Sequence, residues 1–274
     1  MNFLKNVAHD WLPPALVRRV QYSRRGGIRF EGDFPSWEEA GSHSTGYDAD
    51  DILAKVLNAT LKVSRGEAAF ERDSVLFDQV EYAWPALSGL LWVAARNSGR
   101  LNVLDFGGAL GSSYFQNRKF LQTLPDVCWN VVEQAHYVEA GRTNIQSEHL
   151  RFFNSIEECL LFTRPNVILL SSVLQYLKAP FDILETLSSI DVDAMIIDRT
   201  PFSTNRNNRL MIQRVPPSIY TATYPMWVFS QSHFMKMLSA HWHLIASNLS
   251  PEGHVYSKNG FNFSFQGMLL ESRR

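Results

Sequence analysis

The chain has 274 residues and a mass of 31.3 kDa; 45% of its residues are hydrophobic, 19% are charged, and its formal net charge is −1. That size admits one large α/β domain with an appendage or two small domains, and the composition excludes a disordered or fibrous chain. The near-neutral charge argues against nucleic-acid binding by bulk electrostatics.

In chain order, the opening stretch MNFLKNVAHDWLPPALVRRV lacks the uninterrupted apolar core of a signal peptide. No apolar run approaches the roughly 18 residues of a membrane span, so a cytoplasmic protein is expected. The same stretch combines Trp11, Leu12, Leu16 and Val17 with Lys5, Arg18 and Arg19, a mixture suited to an anionic membrane surface or a partner enzyme. Pro13-Pro14 interrupts any long amphipathic helix there, which counts against the membrane. From Asp50 to about Arg96 the pattern is helical: Ile52, Leu53, Val56, Leu57 and Leu61 recur at i, i+3, i+4 spacing, and Pro85 suits the first turn of a second helix that Gly99 ends. Residues 1–99 are therefore expected to form a helical cap region.

Beyond Gly99 short apolar runs alternate with helical stretches, the signature of a parallel sheet with helices on both faces. The expected strands are LNVLDF (101–106), WNVVE (129–133), LRFF (150–153), NVILLS (166–171) and DAMIIDR (193–199), closed by an antiparallel pair at HLIASNL (243–249) and FNFSFQGMLLES (261–272). This makes about seven strands in a domain spanning 100–274. The intervening 199–229 is rich in Arg, Asn, Pro and aromatics, and is expected to be an insertion on the substrate side. Cys128 and Cys159 stand in no CxxC or Cys/His cluster, so no metal site is expected.

The chemistry concentrates at VLDFGGALGSSYF. A strand ends at Asp105-Phe106, and Gly107, Gly108 and Gly111 follow, at the place in an open α/β sheet where ligands approach the carboxyl ends of strands. The next strand closes with Glu133, about 28 positions after Asp105, where a carboxylate can accept hydrogen bonds from both hydroxyls of a ribose. The dinucleotide fingerprint G-x-G-x-x-G is not met, because Ala109 stands where its second glycine belongs. The spacing reads instead as D-x-G-x-G-x-G with one glycine relaxed to Ala109.

That loop, together with SSVLQYL (171–177), SWEEAGSHSTGYDADDIL, FERDSVLFDQVEYAWP and YPMWVFSQSHF, resembles a family of S-adenosylmethionine-dependent class I methyltransferases known mainly from bacterial sequences. The resemblance implies a Rossmann-like class I methyltransferase fold with S-adenosyl-L-methionine as cofactor. It implies that Asp105, Gly107, Gly108 and Gly111 form the cofactor loop, that Glu133 takes the ribose hydroxyls, and that Gln134 lies beside the adenine. Asn154 and Ser155 would recognise the adenine edge; Ser171 and Ser172 would end the fourth strand, where Gln175 and Tyr176 would border the methyl group and the acceptor.

A hydroxyl acceptor needs a base. His233 is the first candidate and His43 in GSHSTGY the second, while Asp198-Arg199 ends the fifth strand. Arg72 and Asp73 are expected in a helical cover over the cofactor mouth. Arg206 and Arg209 suit an anionic acceptor such as a sugar phosphate or, equally, a solvated loop. The expected activity is methyl transfer to oxygen or nitrogen of a small or carbohydrate-like acceptor, which the resemblance associates with cell-surface polysaccharide synthesis. The rivals are a nicotinamide-dependent oxidoreductase and a catalytically silent, partner-binding protein.

Overall fold

The computed structural model describes residues 27–45, 50–72, 74–216, 222–256 and 260–273. The N-terminal stretch read above as a docking segment lies outside these residues, as does Asp73.

Five parallel strands carry the fold: β4 (Arg100–Phe106), β5 (Asp126–Val132), β6 (Leu150–Phe153), β7 (Val167–Ser171) and β8 (Ala194–Ser203). Each expected run is found within a few residues of its predicted limits. They lie in the order β6-β5-β4-β7-β8, so the chain steps outward from β4 to β6 and then returns to the other side of β4. Strand order reverses between β4 and β7, which places the ligand crevice there.

The strands are nearly continuous in apolar residues because both faces are covered. Val103, Val167, Leu169, Ala194 and Ile196 face one core. Their neighbours Leu104, Ile168, Leu170, Met195 and Ile197 face the other, as the period of two requires. The first core is covered by α2 (Asp50–Ser64), α3 (Trp84–Arg96), α4 (Ser112–Leu121) and α5 (Ala135–Asn144). The second is covered by α6 (Ile156–Phe162), α7 (Pro180–Ser188) and α8 (Gln231–Leu238).

The closing pair is present as β11 (Trp242–Tyr256) and β12 (Asn262–Ser272), with β12 inserted antiparallel between β8 and β11. The sheet is larger than the expected seven strands, because β9 (Arg209–Val215) and β10 (Ala222–Ser230) form an antiparallel pair to which β1 (Arg29–Phe34) adds. This extension is attached where β8 runs past β7: Phe202 and Ser203 pair with Phe229 and Ser230. The 199–229 segment is thus largely strand.

The region before Gly99 is also not purely helical. Besides β1 and the short α1 (Trp37–Ser42), it contains the hairpin β2 (Phe70–Arg72) and β3 (Val75–Phe77), which replaces the helical cover expected at FERDSVLF.

Candidate functional site

A cavity of about 730 Å³ opens over the carboxyl ends of β4, β5, β6 and β7 and beside Asp198 and Arg199 in the middle of β8. Adjacent strands are spaced about 4.8 Å apart, so their end residues form a row: Asn154 after β6, Glu133 after β5, Gly107 and Gly108 after β4, Ser171 and Ser172 at β7, and Asp198 and Arg199 on β8. The opposite wall comes from Trp37, the β2–β3 hairpin, and Gln213 and Tyr224 of the extension.

The glycine cluster is required first by the protein itself. Gly107 has φ +71, and a Cβ there would lie 2.2 Å from Cγ2 of Val173. Gly108 covers Asp105 so closely that a Cβ would stand 2.4 Å from its Oδ2. Gly111, at the N-terminus of α4, turns away toward Leu150 and does not line the cavity. Ala109, at the place of the missing glycine, nevertheless adopts φ +49. The loop therefore keeps the left-handed turn of a glycine at that place, and the strain of a Cβ in it is of order 1–3 kcal/mol. Ser172 (φ +58) and Arg199 (φ +50) are strained in the same way, and all three residues line the cavity.

Asp105 is buried beneath the loop rather than exposed in the cavity. Its Oδ2 accepts a hydrogen bond from Nε1 of Trp129 at 2.8 Å, while Oδ1 has no hydrogen-bond partner among the described residues. Burial pushes its carboxyl up to about 7, against the opposing effect of the Trp129 bond. Glu133 lines the cavity, and its Oε2 accepts from the Gln134 backbone N–H at 2.7 Å; burial raises its pKa as well. Gln134 and Asn154 line the cavity, and Asn154 donates from N and Nδ2 to Oε2 of Glu158 at 2.7 and 3.1 Å. Ser155 lines it too, with its Oγ occupied in capping α6.

At β7 and β8, Ser171 Oγ donates to Oδ2 of Asp198 at 3.2 Å, and Nε of Arg199 lies 3.6 Å from the same oxygen. Gln175 is fully buried behind this corner, donating to Ser172 Oγ and the Arg199 carbonyl, and does not border the cavity as expected. Tyr176 does border it. Its hydroxyl donates to Oε1 of Gln213 at 3.0 Å, and Nε2 of Gln213 donates to the Tyr224 hydroxyl at 3.0 Å.

The structure brings neither histidine candidate to the cavity. His233 is exposed on the first turn of α8, stacked on Phe181 at 5.4 Å, and its backbone N–H is capped by Ser230. His43 ends α1 with its ring 5.6 Å from Phe34. Neither lines the cavity. Asp198 does; it lies midway along β8, which continues to Ser203 instead of ending at Asp198-Arg199 as expected. Sequence reasoning missed Gln213 and Tyr224, for which the chain carries no local signal, and placed Arg72 over the cavity on the wrong kind of element.

The strand order, with β12 reversed beside β8, and the glycine loop at the β4–β7 switch point define a Rossmann-like class I methyltransferase fold. No family model matches the chain, and no curated protein matches it. Among solved structures it is similar to the N-terminal domain of EvdMO1 with S-adenosylhomocysteine bound (9% identity, 80% of this chain and 97% of that one, TM-score 0.48). It is also similar to the 1,6-didemethyltoxoflavin-N1-methyltransferase of Burkholderia thailandensis (14%, 84% and 99%, TM-score 0.42). A third is the magnesium protoporphyrin IX methyltransferase of Synechocystis with bound S-adenosylmethionine (13%, 82% and 99%, TM-score 0.43). At these scores the fold assignment rests on strand order and register.

Proposed function

We propose that the chain is an S-adenosylmethionine-dependent methyltransferase acting on oxygen or nitrogen of a small, carbohydrate-like acceptor. The observation that carries this reading is the charge of the cavity at the switch point. Four carboxylates line it (Glu71, Glu133, Glu157, Asp198) against two guanidiniums (Arg72, Arg199). A wall with excess negative charge favours a cofactor with a sulfonium and an ammonium group, and opposes the diphosphate of a nicotinamide dinucleotide. The residues fit the cofactor in other respects: Glu133 faces the cavity one strand from the loop, and Gly107 and Gly108 let the backbone form its floor.

When bound, the cofactor supplies an electrophilic methyl group. Glu133 holds the ribose hydroxyls and Gln134 with Asn154 borders the base, which leaves the β7–β8 end for the acceptor. There Asp198 is the carboxylate placed to take the proton of an acceptor hydroxyl, oriented by Ser171 and Arg199. Tyr176, Gln213 and Tyr224 offer aromatic faces with polar edges, a surface suited to a hydroxylated ring. A place in cell-surface polysaccharide synthesis is consistent with such an acceptor.

The test is calorimetric titration with S-adenosylmethionine, with NAD as control and Glu133→Ala alongside. Binding in the micromolar range, about −8 kcal/mol, that Glu133→Ala weakens is the expected result. Preference for NAD would replace the reading by an oxidoreductase; binding of neither by the folded protein would replace it by a partner-binding role.

A further inference from the structure

The face of the sheet beneath α6 is apolar only toward the carboxyl ends of the strands. On β4, Leu104 belongs to that core, and Asn102 and Arg100 continue the same face toward the start of the strand. On β5, Val132 belongs to it, preceded at alternate positions by Asn130, Cys128 and Asp126. Central parallel strands ordinarily carry apolar residues on both faces. α6 is too short to cover this part: it has 7 residues, roughly 10 Å of helix, against roughly 23 Å for the 7 residues of β4. A second cavity, of about 290 Å³, opens here at the amino ends of β4 and β5.

Its floor is fixed by two asparagines. The Asn102 N–H donates to Oδ1 of Asn166 at 2.9 Å, and the Asn166 N–H donates to the Asn102 carbonyl at 2.8 Å. Their side-chain amides then donate to the carbonyls of two arginines: Nδ2 of Asn102 to Arg164 at 2.8 Å, and Nδ2 of Asn166 to Arg100 at 3.0 Å. The backbone of both arginines is thereby held at one cavity, which both line, and both residues are exposed. Among the described residues neither guanidinium forms an ion pair with a carboxylate, and Nε of Arg100 makes a long bond of 3.4 Å to the Asn97 carbonyl. Asp126, the one carboxylate among the described wall residues, stands beside Arg100 in the parallel register without reaching ion-pair distance. Cys128 adds no negative charge, since burial pushes its thiol up.

The balance of two guanidiniums against one carboxylate is the reverse of that in the large cavity, where carboxylates predominate. The fork of an arginine matches the oxygens of a phosphate, and two arginines without a carboxylate partner complement a dianion. We propose that this cavity is a second ligand site, taking a small phosphate monoester dianion at Arg100 and Arg164. It lies at the opposite ends of the strands from the large cavity, and the proposal does not rest on the cofactor reading above.

The probes are inorganic phosphate and glycerol 3-phosphate, titrated calorimetrically into the full chain at constant ionic strength, with glycerol as the neutral control. Both phosphates are expected to bind with Kd of about a millimolar, as suits ligands of so few atoms, and glycerol is expected not to bind. Arg100→Gln and Arg164→Gln are each expected to weaken the phosphates by about tenfold, the worth of a charge-assisted hydrogen bond. Their urea midpoints should match the wild type, because both residues are exposed. Arg65→Gln, which removes the same charge from an exposed side chain at the end of α2, is expected to leave phosphate affinity within about twofold. S-adenosylmethionine at saturation is expected to leave it unchanged as well. A folded wild type that binds neither phosphate overturns the proposal. So does binding that the Arg100 and Arg164 variants retain, that Arg65→Gln weakens equally, or that S-adenosylmethionine displaces.

Discussion

One wall of the cavity is formed by β4, β5, β6 and β7, which are hydrogen-bonded to one another in parallel register and follow one another in the chain. The opposite wall is gathered from Trp37, the β2–β3 hairpin and the β9–β10 pair, which meet only through tertiary contacts such as the stacking of Trp37 on Trp227 at 6.3 Å. The first wall has its geometry fixed by the sheet, and offers groups suited to a constant ligand. The second sits on a hairpin outside the large sheet and on an antiparallel extension joined to it through β8, which suits the acceptor and the closing of the site. If this division holds, substitutions at the ends of β4, β5 and β6 change cofactor binding, and those in the β9–β10 pair and the residues it touches change acceptor use.

The largest effect is expected at Gly107. An alanine there meets Val173 at 2.2 Å on a backbone with φ +71, and both faults act together. Gly107→Ala should lower stability by about 2–4 kcal/mol and abolish cofactor binding, as measured by urea denaturation and calorimetry. Glu133→Ala comes next. It should weaken S-adenosylmethionine by about ten- to a hundredfold with little change in the urea midpoint, since among the described residues the carboxylate's hydrogen bond is to the adjacent backbone.

Asp105 sharpens the comparison through pH. Its folded-state pKa of about 7 lies above the ordinary carboxylate value of 3.8. Between those values the native state holds a proton that the unfolded chain has lost, so this group makes stability fall as pH rises. The slope is at most about 1.4 kcal/mol per pH unit for one proton. The loss is complete above about pH 7. Asp105→Asn should remove this component from urea melts of the unliganded protein between pH 5 and 8. A cationic cofactor favours the ionised carboxylate, so in the wild type binding should release protons near neutral pH, and the asparagine variant should release fewer.

On the acceptor wall, Tyr176→Phe removes the hydroxyl that donates to Gln213. The expected result is a rise of about three- to tenfold in acceptor KM, the worth of one neutral hydrogen bond, with cofactor affinity unchanged. A fall in cofactor affinity instead would show that the two walls do not act separately.

The same division explains what could be read in the sequence. NVILLS and DAMIIDR are apolar on both faces because helices cover both sides of the sheet, and that pattern is visible in a single sequence. The extension is hidden for a specific reason: Pro225 stands within β10 and Pro201 within β8, and a proline ordinarily argues against a strand. Here each is tolerated locally. Pro225 pairs with β9 before β10 reaches β8, and Pro201 pairs with β12 in the gap between the end of β7 and the start of β10. The β2–β3 hairpin has only three residues per strand, too few for any period to be seen. Gln213 looks like an ordinary polar residue in RLMIQRV, and only the fold brings it between two tyrosine hydroxyls.

The smallest expected effect is the most direct test of where the chemistry lies. His233 follows an aromatic run in the sequence, as a catalytic histidine could, yet its ring is exposed and stacked on Phe181, and the residue is absent from the cavity wall. His233→Ala removes packing at the start of α8 and leaves the backbone cap to Ser230 in place. Turnover should therefore stay within about twofold of the wild type, since no hydrogen bond to a reacting group is lost. Asp198→Asn, compared under the same conditions, should slow a hydroxyl acceptor by about a hundredfold or more if the carboxylate takes its proton. A large loss at His233 with Asp198→Asn still active would reverse the assignment, and would require α8 to approach the cavity in the acceptor-bound state.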